Sequence, residues 1–154
     1  MNKKQNDILT DYMLHSALHF ITLQEQYLRR VCEKDLSLRE LHVLEAVASL
    51  EPARRNTMAE VARYLHLSPA SLTTSANVLV KKGYLTREYS PEDRRVIYVE
   101  LTEIGREANR KYLGFVRELV EYIGKDLDET AADSALAALL KVNEYLESQE
   151  KAEL

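Results

Sequence analysis

A chain of 154 residues with 45% apolar and 30% charged side chains, four Gly and three Pro is expected to form one ordinary, soluble and largely helical domain; disorder is not expected, and nothing in the composition suggests a second independent core. No apolar run approaches the ~20 residues of a membrane span, and the N-terminal MNKKQNDILT lacks the apolar stretch of a signal peptide, so a cytoplasmic protein with no membrane partner is expected. The net charge of -4 is unevenly distributed: Pro52 to Leu101 holds eight Lys or Arg against five Asp or Glu, giving +3, and the remainder carries -7, so an acidic scaffold surrounds a basic centre able to attract a polyanion locally.

From Asn6 to Val31 apolar residues recur at helical spacing without Gly or Pro, which predicts one long first helix. Ser37 and Glu40 form a capping box that opens a second helix, with Leu38, Leu41, Leu44, Val47 and Ala48 as its apolar face, running to about Pro52. Thr57 and Glu60 repeat the box for a third helix, whose face is Val61, Ala62 and Leu65 and which stops at His66 and Leu67. Ser68 and Pro69 restart the chain as N-cap and first-turn proline. The fourth helix turns Leu72, Ala76 and Leu79 inward and ends at Lys81, Lys82 and Gly83, where the dipole favours cations and a left-handed cap favours glycine.

After Gly83 the period changes. Tyr84 to Tyr89, a polar tip from Ser90 to Arg94, and a β-branched run ending at Leu101 predict a hairpin. From Thr102 the helical period returns, with Ala108, Tyr112, Phe115, Leu119 and Tyr122 on one stripe. Asp128 or Thr130 begins a final helix with Ala135, Leu139, Val142 and Leu146 aligned, before a charged tail expected to fray from Glu147.

Two short helices joined by a tight turn and followed by a two-stranded hairpin describe a winged helix-turn-helix, a mainly α fold with a small β-hairpin wing. The turn His66, Leu67, Ser68 lacks the usual Gly or Asn, but His tolerates positive φ. An enzyme is not indicated: HExxH, CxxC, a glycine-rich phosphate loop and Gly-x-Ser-x-Gly are all missing from the sequence. A winged module used only for protein contact is the remaining rival, separable by a DNA mobility assay.

Asp93, Arg94 and Arg95, followed by Leu101, Thr102 and Gly105, resemble the wing and exit signature of the MarR family, and the likeness extends through "LSLRELHVLEAV" and "EVARYLHLSPASLTTSANVLVKKGYL" to the flanking helices. The resemblance implies a ligand-responsive repressor that binds double-stranded DNA at a palindromic operator as a homodimer. It implies a DNA-binding lobe over 37–101 and a helical dimerisation lobe from 6–31 and 102–150, within one chain of 1–154. Ser68, Ser71, Thr73, Thr74 and Asn77 lie on the outer side of the fourth helix, placed to donate to phosphates or to read base edges. Arg95 suits a narrow minor groove, with Asp93 orienting it, and Arg94, Arg87, Lys81 and Thr57 are candidate phosphate contacts. Val78 departs from the family, where that position is more often basic.

Asp11, His15 and His19 share a helical face as metal ligands do, but no fourth ligand is identifiable, and the bland reading is a polar stripe. His42 falls where a zinc-sensing branch has a ligand, yet no histidine in the fifth helix completes that site, so no metal and no required cofactor are expected. Cys32, the only cysteine, excludes an intramolecular disulfide and reads as a small inert side chain rather than a redox sensor. "LRELHVLEAV", "SLTTSANVLVKKGYL" and "DRRV" resemble the branch that represses fatty-acid synthesis genes in Gram-positive bacteria, which makes a small molecule or an acyl-carrier species the effector to consider.

Overall fold

In the computed structural model, which describes residues 1–31 and 36–152, the chain becomes helical earlier than its apolar period suggests. Asn2 accepts from the Gln5 amide at 2.9 Å while Gln5 reaches back to the Asn2 N–H at 2.8 Å, and this capping box starts α1 at Lys3–Asp11. A π-helical turn, Tyr12–Ser16, separates α1 from α2, Ala17–Val31. The expected long first helix is thus helical throughout but carries one π turn, and no Gly or Pro marks the place. Cys32 lies outside the described residues.

The Ser37 and Glu40 box is formed and opens α3, Leu38–Leu50. Leu41, Val43, Leu44, Ala46 and Val47 are all fully buried, so α3 is enclosed on more than the single face expected. It is enclosed because α2, α4, α5 and the second wing strand all pack against it. Each buried Leu or Val side chain contributes roughly 1.5–3 kcal/mol by leaving water. A short 3-10 turn, Glu51–Ala53, follows, and Arg54 takes φ 51°.

Thr57 caps α4, Met58–Tyr64, by accepting from the Glu60 amide at 3.2 Å. The reciprocal half of the expected box is not made, because the Glu60 carboxylate instead takes Arg55 Nε at 2.9 Å. Asn56 is buried; its amide donates to the Val99 carbonyl at 2.8 Å, and its own carbonyl accepts the Val99 N–H at 2.9 Å.

Ser68 and Pro69 open α5, Pro69–Lys82, and Gly83 closes it at φ 83°. Leu72, Ala76 and Leu79 are buried, as their spacing predicts. The wing is β1, Leu85–Tyr89, paired antiparallel with β2, Ile97–Leu101, in the register Leu85 opposite Leu101 and Tyr89 opposite Ile97. Thr102 donates its hydroxyl to the Gly83 carbonyl at 2.7 Å and accepts the Gly105 N–H at 3.1 Å, so it caps α6, Glu103–Gly124, against the end of α5. A side chain at Gly105 would place Cβ 2.2 Å from the Tyr84 carbonyl oxygen, which explains the glycine there.

The fold divides into two packed units, Met1–Phe115 and one beginning at Val116. Within the first, Tyr112 is buried with its hydroxyl accepting from Gln24 Nε2 at 3.0 Å, and Phe115 lies 4.9 Å from the Tyr27 ring and 6.0 Å from Phe20. Within the second, Asp128 caps α7, Glu129–Ala152, by accepting the Ala131 N–H at 2.8 Å. The tail expected to fray from Glu147 continues α7 through Ala152. No described helix is long and apolar enough to cross a membrane.

Candidate nucleic-acid interface

The turn between α4 and α5 is built on His66, whose φ of 51° is the left-handed conformation its position demands. Leu67 N–H returns to the Ala62 carbonyl at 2.9 Å, and buried Ala62 lets the two helices approach. Ser68 then accepts the Ser71 N–H at 3.2 Å, with Pro69 in the first turn. The N-terminus of α5 is left facing outward, beside exposed Ser68.

The wing folds back toward this helix. Thr57, Arg63, Pro69, Thr73, Arg95 and Ile97 line one groove of about 560 Å³ between α4, the start of α5 and the hairpin. Three residues singled out in the sequence, Thr57, Thr73 and Arg95, are thus brought together from three elements. Thr74, Asn77 and Lys81 continue along the exposed side of α5, and Lys81 makes no ion pair among the described residues. Lys82 differs: its ammonium sits 2.8 Å from Glu40 Oε1 and ties the end of α5 to the start of α3. Burial pushes the Glu40 carboxyl upward, but Lys82 and the Ser37 N–H and hydroxyl outweigh it and hold the carboxyl below its ordinary range.

Hydroxyl orientation refines what the helix offers. Thr73 donates to the Pro69 carbonyl at 2.7 Å and Thr74 to the Ala70 carbonyl at 3.1 Å, so both protons are turned back into the helix. Their outward capacity is a lone pair and a methyl group, not donation to phosphate. Arg87 is turned inward from β1 and is partly buried, donating to Asn77 Oδ1 at 2.7 Å.

At the wing tip Asp93 holds Arg95 by both carboxylate oxygens, receiving Nε at 3.1 Å and Nη2 at 3.0 Å, and also accepts the Arg95 N–H at 3.0 Å. The Arg95 side chain remains 91% exposed, so the pair aims it without covering it. The Arg95 guanidinium and N–H hold the Asp93 carboxyl below the usual carboxylate range. Arg94 is exposed and unpaired among the described residues. Two organising residues escaped the sequence reading. Buried Ser90 hydrogen-bonds the Glu92 carboxylate at 2.6 Å and accepts the Glu92 N–H, fixing the tip, and Asn56 pins β2 to the start of α4. Neither carries a sequence signal beyond being a small polar residue in a loop.

Elsewhere, Asp11 and His15 form an exposed pair at 3.0 Å that does not include His19, and His42 lies 6.1 Å from the Tyr112 ring. Among the described residues no three His, Cys, Asp or Glu come together as a metal site requires.

Residues 34–96 match the MarR family. The uncharacterized HTH-type transcriptional regulator YpoP of Bacillus subtilis is 29% identical over 79% of this chain and 82% of its own length. The crystal structure of Streptococcus pneumoniae FabT in complex with DNA superposes with a TM-score of 0.82 at 28% identity, covering 94% of this chain and 99% of that one. The S. aureus MepR-DNA complex shares the fold, with a TM-score of 0.73 at 18% identity over 88% and 95% of the two chains.

Proposed function

We propose that this chain is a DNA-binding transcriptional regulator of the MarR family rather than an enzyme, and that it acts as a homodimeric, ligand-responsive repressor of a palindromic operator. In this reading the lobe over 37–101 meets DNA. The start of α5 enters the major groove, where Thr73, Thr74 and Asn77 face base edges. Ser68, Ser71, Thr57, Lys81 and Arg94 lie toward phosphates, and Arg95 reaches the minor groove. The observation that carries the reading is the groove that joins Thr57, Thr73 and the Asp93-held Arg95, because it aligns a helix N-terminus and a wing cation along one surface.

The segments 6–31 and 102–150 supply the dimer in this proposal. Ile8, Leu9, Tyr12 and Met13 near the N-terminus are exposed, as are Leu136, Leu139, Leu140 and Leu146 on α7. Apolar side chains in such number on a chain of mean hydropathy -0.35 call for a partner surface. A single module burying roughly 600–1,000 Å² on DNA binds modestly, and linking two of them raises the effective concentration of the second contact. A small molecule or acyl species bound by the helices would act by changing the spacing of the two reading helices. Fatty-acid synthesis genes are the regulatory target to test first, on the sequence resemblance given above.

The test is light scattering together with promoter protection. The full chain should scatter as a dimer near twice 17.7 kDa and protect an inverted repeat in its own genome. A monomer that bound DNA without sequence preference would overturn the proposal.

A further inference from the structure

We propose that Arg87 decides which base Asn77 reads, by holding the amide oxygen and leaving only the amide nitrogen to face the DNA. The inference rests on the DNA-binding reading above and specifies its base contact.

Arg87 Nη1 donates to the Asn77 side chain at 2.7 Å. A guanidinium has donors and no acceptor, so the amide atom that meets it is the oxygen, and the amide's orientation follows from chemistry alone. The attachment is firm. Arg87 Nε and Nη2 are covered and have no acceptor among the described residues, which leaves the Asn77 oxygen as this guanidinium's acceptor. Turning Asn77 away would strip a covered cation of that contact.

An unrestrained asparagine pairs with adenine through two bonds, accepting from N6 and donating to N7. Arg87 takes one of the two lone pairs on the Asn77 oxygen and turns that oxygen toward β1, so the NH2 is what Asn77 extends outward, and it would meet the adenine amino group donor against donor. Guanine presents two acceptors, O6 and N7, to the same NH2. The reading face therefore carries acceptors at Thr73 and Thr74, whose protons are bonded to Pro69 and Ala70, and a donor at Asn77. Arg87 itself touches no base in this arrangement; it is a positioning residue for specificity.

The test is selection from a randomised duplex library with the full-length protein, repeated for variants. Asn77→Ala identifies the operator position that depends on this residue. At that position the unaltered protein should prefer guanine over adenine by about tenfold, the scale of one good bidentate contact. Arg87→Met releases the amide oxygen and should move the preference to adenine, whereas Arg87→Lys retains a donor and should keep guanine. Asn77→Asp, at an exposed position that folding tolerates, offers only acceptors and should move the preference to cytosine; it carries the test if Arg87→Met does not fold. Adenine selected by the unaltered protein overturns the proposal and leaves the DNA-binding reading standing. So does specific binding whose profile is unmoved by Asn77→Ala, or by Asn77→Asp. Failure to enrich any sequence overturns both.

Discussion

Asp93 receives Arg95 on both carboxylate oxygens, at 3.0 and 3.1 Å, while the arginine side chain stays 91% exposed. A bidentate pair of this kind fixes the direction of a cation whose long side chain would otherwise sample many rotamers. Little else depends on it, since the wing tip contributes no buried apolar surface of its own.

Arg95→Ala should therefore weaken operator binding about tenfold or more, with Tm shifted by no more than roughly 2 °C, the scale of an exposed substitution. Asp93→Ala should weaken binding less, because the cation remains but is no longer aimed. Because Arg95 holds the Asp93 carboxyl below its usual range, the pair persists as pH falls, and affinity between pH 5 and 8 should show no titration that Asp93→Asn removes. Fluorescence anisotropy across that range measures both effects, and unchanged affinity in Arg95→Ala would remove the wing from the mechanism.

Lys81→Ala should weaken binding to all sequences alike and reduce the slope of log affinity against log salt by about 0.9, the release of one counterion. Substituting Thr73 should instead change base preference and leave that slope alone. Salt titrations on two unrelated duplexes distinguish the outcomes.

Glu40 joins a helix cap to the end of the reading helix, through Ser37 on one side and Lys82 on the other. Its folded carboxyl is held below the ordinary value, so it stabilises the fold above the unfolded value and that contribution is lost as pH falls through the folded one. Glu40→Gln should cost about 1–2 kcal/mol at pH 7 and should flatten the loss of stability below about pH 4.3. Denaturant melts at pH 7 and pH 3 test the sign; equal slopes with acid in both proteins would contradict it.

Gly105→Ala would drive Cβ to 2.2 Å from the Tyr84 carbonyl, a backbone atom with no rotamer to yield. The expected cost is about 1–3 kcal/mol or more, a fall in Tm of several degrees, together with weakened DNA binding because the same contact seats the wing against α6. Calorimetry and a gel shift on one preparation measure the two.

Leu139→Glu combined with Leu140→Glu alters residues that are 61% and 62% exposed in the single chain, so the subunit should stay folded by circular dichroism. Light scattering should nonetheless move toward the monomer, with loss of operator binding. A dimer of undiminished stability would place the subunit contact elsewhere.

What the sequence determined by itself is what acts within about four residues. The capping at Ser37, the Ser68 and Pro69 start, the tolerance of His66 for positive φ, the Gly83 stop and the change of period at the wing are each legible because a helix or hairpin end is satisfied by its immediate neighbours. Thr57 and Glu60 show the limit of that reasoning: the spacing is that of a capping box, but Arg55 takes the carboxylate. The π turn at Tyr12–Ser16 had no local marker at all. The tertiary structure alone decided the polar pairings between elements, Glu40 with Lys82 across 42 positions, Asn56 with Val99 across 43, and Asn77 with Arg87 from helix to strand. Those pairs form wherever packing of the apolar faces brings a donor within 3 Å of an acceptor, and the residue types in one dimension do not contain that distance.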